Sequence, residues 1–328
     1  MKVNISLDAT YEIKKGKVTE DNQYLEPTHV SKFSNLLLDA GLDRMGEHGT
    51  YMTHLYLGAG TSTPDPSNTA LDDLTYMGDS LIPIDHTISS VNSPVGEQPY
   101  AQVTRIFRVQ PRGSNFVYSE IGVGHHSESG SGGITDVLLS RTLIKGLDGN
   151  PAVLSVLGDE YLDVTYELRL YMPTEDLVTT IMPTGKDTEP RTLTMRAAYT
   201  NTRSVIISSW GLSDSWKNGV TLALAGSDVE LGSHAIYDGP IGSITSGPSG
   251  NRLDTIFNAF SHEFVGNRTA VVTLKIDTAS NIGTWRSILL ATTATSFQCQ
   301  FDPPFDKTLE DSVELSYSIS WGRREPNE

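Results

Sequence analysis

Polar and apolar side chains alternate almost without a break in "YLDVTYELRLYMP", residues 161–173, and again in "DSVELSYSISWG", residues 311–322. A period of two is that of a strand with one buried face. Tyr166, Leu168 and Leu170 are therefore expected to point into a core, with Glu167 and Arg169 pointing away. From residue 100 onward nearly every apolar run has this character, as in "YAQVTRIFRVQ", "NFVYSEIGVG", "DVLLSRTLI", "TAVVTLKID" and "SFQCQFD". Turn chemistry such as "PRGSN" and "LDGNP" separates the runs. Residues 1–30 are polar with alternation in "VNISLDATYEI" and read as an N-terminal arm or leading strand. One stretch breaks the habit: "SKFSNLLLDAGLDRMGEHG" predicts a helix near 33–45, capped by Ser34 or Ser31 and stopped by Gly46. Gly41 is a weak point inside it.

The prolines of "MPTEDLVTTIMPTGKDTEPRT" suggest a boundary. The expected organisation is a first domain over 31–175, a linker over 176–192 and a second domain over 193–328. Strands with one apolar face must pair those faces, so the fold class expected is all-β, two antiparallel β-sandwich domains in tandem, with one short helix in the first. Overlaying the halves places Ile106-Phe107 on Ile256-Phe257, Arg141 on Arg286 and Tyr166 on Tyr317. That overlay raises duplication of one domain, with two unrelated β domains as the alternative.

Charge narrows the partners. With 24 basic and 40 acidic residues the formal charge is -16, which repels phosphate backbones and anionic membrane surfaces. Neither nucleic acid nor membrane is an expected partner. Cys299 is the single cysteine, so no disulfide can form within the chain, and a buried small hydrophobe is the expected role. "MKVNISLDATYEIKKGK" has no apolar segment of signal-peptide type, and a soluble protein made in a cytoplasm is expected.

Signatures of catalysis are missing: no G-x-S-x-G elbow, Walker loop, H-E-x-x-H or G-x-G-x-x-G after a strand. No catalytic, cofactor-binding or metal-binding residue is assigned. His125-His126, with Glu128 and Asp136 nearby, read as a solvated loop because adjacent histidines point different ways. Asp65, Asp72 and Asp73 lack the spacing of a calcium loop. Asp159-Glu160 read as turn residues rather than a glycosidase pair. Among Trp210, Trp216, Trp285 and Trp321, the first two share the polar stretch "SSWGLSDSWKNG" and are the candidate ligand or interface aromatics.

"FSNLLLDAGLDRMG", the turn "LGAG", the stretch ending "TALDD", then "YSEIGVG", "SRTLI", "GNP" and "DEYLDVTYELRLY" occur in that order over residues 31–173. The combination resembles tail-associated structural proteins of tailed bacteriophages. The resemblance implies a non-enzymatic virion component of the tail, neck, collar or fibre-attachment region, made in the bacterial host cytoplasm. It would act as a homo-oligomer in contact with other virion structural proteins. The alternative is an exterior module binding a host receptor or surface glycan.

Overall fold

The computed structural model describes residues 1–47, 51–79, 87–91, 98, 100–129, 133–181, 189–198, 234–244, 246–256, 260–266, 268–276, 282–291 and 296–325. Among the described residues the chain is mainly β with one helix. The first half comprises β1 (Lys2–Lys17), β2 (Thr28–Ser34), β3 (Leu36–Leu37), α1 (Asp39–Glu47), β4 (His54–Gly58), β5 (Leu74–Gly78), β6 (Thr87–Val91), β7 (Tyr100–Val109), β8 (Phe116–Tyr118), β9 (Glu120–Ser129), β10 (Gly133–Leu143), β11 (Leu154–Val156) and β12 (Glu160–Tyr171). The second comprises β13 (Leu177–Ile181), β14 (Arg191–Ala197), β15 (His234–Tyr237), β16 (Arg252–Ile256), β17 (Phe260–Gly266), β18 (Thr269–Ile276), β19 (Gly283–Ala291), β20 (Ser296–Lys307) and β21 (Val313–Arg323). Residues 176–192, expected as a linker, thus carry β13 and the start of β14.

One sheet runs through both halves in the order β17-β18-β21-β1-β12-β7-β6, with β2 also paired to β1. Strand β1 is its seam. Val3, Ile5, Leu7, Ala9, Tyr11 and Ile13 alternate inward and are buried, so its period-two pattern fixes which face meets the core. On one edge β1 pairs antiparallel with β12, Ser6 opposite Tyr171 through Lys17 opposite Glu160. On the other, Lys2–Leu7 run parallel to β21 and Thr10–Lys15 pair with β2. The two strands that alternate most clearly in the sequence therefore flank the same strand.

A five-stranded sheet, β3-β10-β9-β4-β5, faces the first half of this seam sheet, and a six-stranded one, β13-β14-β20-β19-β15-β16, faces the second. The Tyr11 hydroxyl lies 2.9 Å from Ser140 Oγ across the first core. The rings of Phe297 and Tyr317 meet at 6.2 Å across the second. The succession of pairings recurs. Strands β3, β4, β5, β9 and β10 are joined as β14, β15, β16, β19 and β20 are, and β6-β7-β12 as β17-β18-β21, all antiparallel. On this pattern Tyr166 and Tyr317 lie on matching strands. Ile106 and Ile256 do not, being on β7 and β16, and neither do buried Arg141 on β10 and exposed Arg286 on β19.

The helix begins later than the sequence suggests. Residues 33–38 are largely strand: Ser31 and Phe33 face inward, Lys32 and Ser34 outward, and Leu37 enters the main core while Leu36 and Leu38 join a smaller cluster on the opposite face. That alternation is a strand's, and pairing with β1 and β10 overrides local helix preference. Helix α1 opens at Asp39, an acidic first-turn residue suited to the helix dipole, and neither Ser31 nor Ser34 caps it. A Cβ on Gly41 would collide with the Leu139 backbone, so the interior glycine is what lets the helix lie directly on β10.

Candidate functional site

Glu120 opens β9 and Arg141 lies near the end of β10, and both side chains are fully buried. Isolated charges in such a place would be costly, so each must be paired and hydrogen-bonded. Arg141 Nε donates to Glu120 Oε2 at 3.0 Å, and the Arg141 NH2 group stands 2.9 Å from the same oxygen. The rest of the guanidinium reaches into the loop between β4 and β5: NH1 to Asn68 Oδ1 at 2.7 Å, NH2 to Ser62 Oγ at 3.1 Å and to Asp72 Oδ2 at 2.6 Å. Glu120 takes the loop from the other side, accepting the backbone N–H groups of Gly60, Asp72 and Asp73 at 3.0, 3.2 and 2.9 Å. Ser119 Oγ adds a bond to the Gly60 carbonyl at 2.7 Å. Any Cβ on Gly60 would strike Glu120 Oε1 and Asp72, which explains the last glycine of "LGAG".

The result is a loop of residues 59–73 clamped to the sheet at both ends. Leu71 from the loop completes the small outer cluster with Leu38, Tyr56 and Leu138. Within the loop, Asp65 accepts from Ser67 N at 2.9 Å and donates its own N–H to Asn68 Oδ1 at 2.8 Å, a local turn that holds the Asp65 carboxyl below its usual range, chiefly through the Ser67 hydroxyl. The Ser62 hydroxyl, aided by Arg141, does the same to Asp72. Asp65 and Asp72 are thus engaged with different partners.

The clamp continues into the second half. The Pro66 carbonyl accepts the Asp39 N–H at 2.8 Å where α1 begins. The Asp39 carboxylate is held 2.6 Å from Arg323 NH2 on β21 and 2.7 Å from Arg268 NH2 in the β17–β18 turn. Arg268 Nε also reaches Asp43 at 2.8 Å, Arg323 Nε donates to the Leu37 carbonyl at 2.5 Å, and the Trp321 indole donates to the Leu42 carbonyl at 2.8 Å. The Arg323 guanidinium is the main cause of a depressed Asp39 carboxyl, assisted by Arg268.

At the matching place in the second half a different clamp operates. Ser287 faces the last residue of β15 as Glu120 faces the last residue of β4, and Gln298 stands across from Leu289 as Arg141 stands across from Gly122. Both are fully buried. Gln298 Nε2 donates to the Gly242, Ser243 and Ser246 carbonyls at 3.2, 2.9 and 3.2 Å, and Gln298 Oε1 accepts from Gly242 N at 2.8 Å. Ser287 Oγ donates to the Gly239 carbonyl at 2.6 Å. The buried anchors of the loop between β15 and β16 are thus neutral, with one charged contact added from outside, Arg196 NH1 to the Gly242 carbonyl at 2.6 Å.

The residues singled out in the sequence fall elsewhere. Trp210 and Trp216 lie outside the described residues. Trp285 and Trp321 are core residues. His125 and His126 are on β9 rather than in a loop and meet different partners, Thr53 Oγ1 at 3.3 Å and Asp136 Oδ1 at 2.6 Å, with the His54 ring 5.2 Å from that of His126. Burial lowers the His54 pKa. Among the described residues no group of three or more His, Cys, Asp or Glu side chains is placed to hold a metal ion. Glu160 pairs with Lys15 at 3.1 Å and Asp159 with Lys17 at 3.3 Å. Cys299 is buried, and burial pushes its thiol up to about 12. Sequence reasoning missed Glu120, Arg141 and Asp39. The available signal was a lone charge inside each of two apolar strands, "YSEIGVG" and "LLSRTLI".

No family model matches the chain, and no curated protein or solved structure matches it.

Proposed function

We propose that the protein is a non-enzymatic structural component of a tailed-phage virion, working through contacts with copies of itself and with other virion proteins. One observation carries this reading. The motifs that resemble phage tail-associated proteins are far apart in the chain, yet "LGAG", "TALDD", "YSEIGVG" and "SRTLI" supply Gly60, Asp72, Glu120 and Arg141 to one buried clamp. The shared lettering thus marks a structural device that fixes an exposed loop and braces α1. Rigidly scaffolded loops are where binding residues concentrate, and loop 59–73 offers exposed Thr61, Thr63, Asp65, Ser67 and Thr69 for contact. Two tests apply. Mass spectrometry of purified particles from a phage encoding this chain should find it at a fixed ratio to the other tail proteins; absence from particles overturns the proposal. Sedimentation of the isolated full chain at neutral pH should give a discrete closed oligomer. A clean monomer would direct the reading to an adaptor that assembles only on a partner surface.

A further inference from the structure

Three arginines are buried among the described residues, and two of them have the partners that burial demands. Arg141 has Glu120, and Arg191 NH1 donates to the Pro303 and Pro304 carbonyls at 3.0 and 2.9 Å. Arg105 has neither kind of partner. On β7, Arg105, Phe107 and Val109 are buried while Thr104, Ile106 and Arg108 are half-buried, so the strand period turns the Arg105 side chain into the first core. It is 1% exposed, its Nε and NH1 have no hydrogen-bond partner, and among the described residues no carboxylate pairs with it. Burial draws the guanidinium down only to about 10, so it keeps its proton at neutral pH. An unbalanced cation in a closed core is among the costliest features a fold can carry.

Its neighbours can donate but cannot neutralise. Tyr166 stands directly opposite Arg105 in the β7–β12 register, is fully buried, and its hydroxyl likewise has no hydrogen-bond partner. Tyr51, also buried, lies within electrostatic range of both. Burial holds both phenols above their ordinary value of 10, so neither supplies a negative charge near neutrality. We propose that Arg105 and the Tyr166 hydroxyl, beside Tyr51, form a buried site for one small monovalent anion such as chloride, taken up as the first sandwich closes. One cation calls for one negative charge, and a doubly charged oxyanion would leave an excess and lose far more hydration on entering. Access excludes a carboxylate on a partner's side chain, since all three residues are at most 1% exposed. The anion is the counter-charge that Glu120 supplies to Arg141, and the site is independent of the virion reading.

The test is a series of thermal melts of the full chain in which sodium chloride replaces sodium gluconate at constant ionic strength. The melting temperature is expected to climb with the logarithm of chloride concentration above a midpoint, and bromide should do the same. Arg105→Met should abolish that dependence. Tyr166→Phe removes an unpartnered hydroxyl and little volume, and should move the midpoint to about tenfold higher chloride. It keeps the test decisive if Arg105→Met does not fold. Equal melting in chloride and gluconate overturns the proposal. A chloride response that survives unchanged in Arg105→Met, or in Tyr166→Phe where only that variant folds, places the ion elsewhere and overturns it too. So does an Arg105→Met protein more stable than the parent at every chloride concentration, which would mean that the cation is carried bare.

Discussion

The loop after β4 and the loop after β15 sit at matching places in the two halves, yet opposite chemistry holds them. The first turns backbone N–H groups toward the sheet, and a carboxylate, Glu120, accepts three of them. The second turns three carbonyls and one N–H toward an amide, Gln298, which donates to the former and accepts from the latter. Loop polarity therefore dictates the anchor. A buried carboxylate demands a cation, which Arg141 provides while gathering three loop side chains, whereas a buried amide needs no counter-charge. The clamp with the buried ion pair is therefore expected to be the more sensitive of the two to a single change.

The sharpest way to break the comparison is Glu120→Ala. It removes the fully buried counter-charge of Arg141, leaving only the partly exposed Asp72 carboxylate beside it, and strips three loop N–H groups of their acceptor, so the expected loss is about 3–5 kcal/mol in chemical denaturation. A loss below about 1 kcal/mol would mean that the pair is not the anchor. The double replacement Glu120→Ser with Arg141→Gln installs the second half's residues in the first. It should cost less than Glu120→Ala alone, because no buried charge remains and the Asp72 carboxylate it releases is partly exposed, while limited proteolysis of loop 59–73 rises. Gln298→Ala should cost about 1–3 kcal/mol, since neutral donors are lost and several carbonyls are stranded. If it equals the Glu120→Ala loss, charge makes no difference between the clamps.

The smallest effect concerns the junction. The Asp39 carboxyl is depressed, chiefly by Arg323, so its contribution is present in full above the unfolded carboxylate value of about 3.9 and is lost as pH falls through the lower folded value. The side chain is partly exposed and solvent screens it, so Asp39→Asn should cost under about 1 kcal/mol near neutrality. Thermal melts of the two proteins should converge in acid. A gap that persists at the lowest pH would place the contribution elsewhere.

Much of the fold was legible because strands write their period into the sequence. The alternation of residues 161–173 named a buried face correctly, Tyr166, Leu168 and Leu170, and alternation in 311–322 and in β1 marked both as strands. Pairing was not legible, since alternation says which face is buried and nothing of which neighbour lies alongside. Parallel β1–β21 contact is a property of the assembled sheet. The helix start was misplaced because Leu36, Leu37 and Leu38 fit either period until β1 and β10 are present. The clamp was half-legible. A glutamate and an arginine within apolar strands announce a buried pair, but that they close on Gly60 and Asp72 depends on two strands meeting in register.

Strand β1 also sets an order of events. Asn4 and Ser320, hydrogen-bonded side by side, are 316 residues apart in the chain. During synthesis β1 can find β2 and then β12, but its remaining edge stays open until β21 has been made. Pairings this distant are slow to form, and an open apolar strand edge invites wrong neighbours while it waits. Refolding from denaturant should therefore end in a late, slow phase in which β1 closes on β21, and aggregation during expression should track how long that edge is left bare.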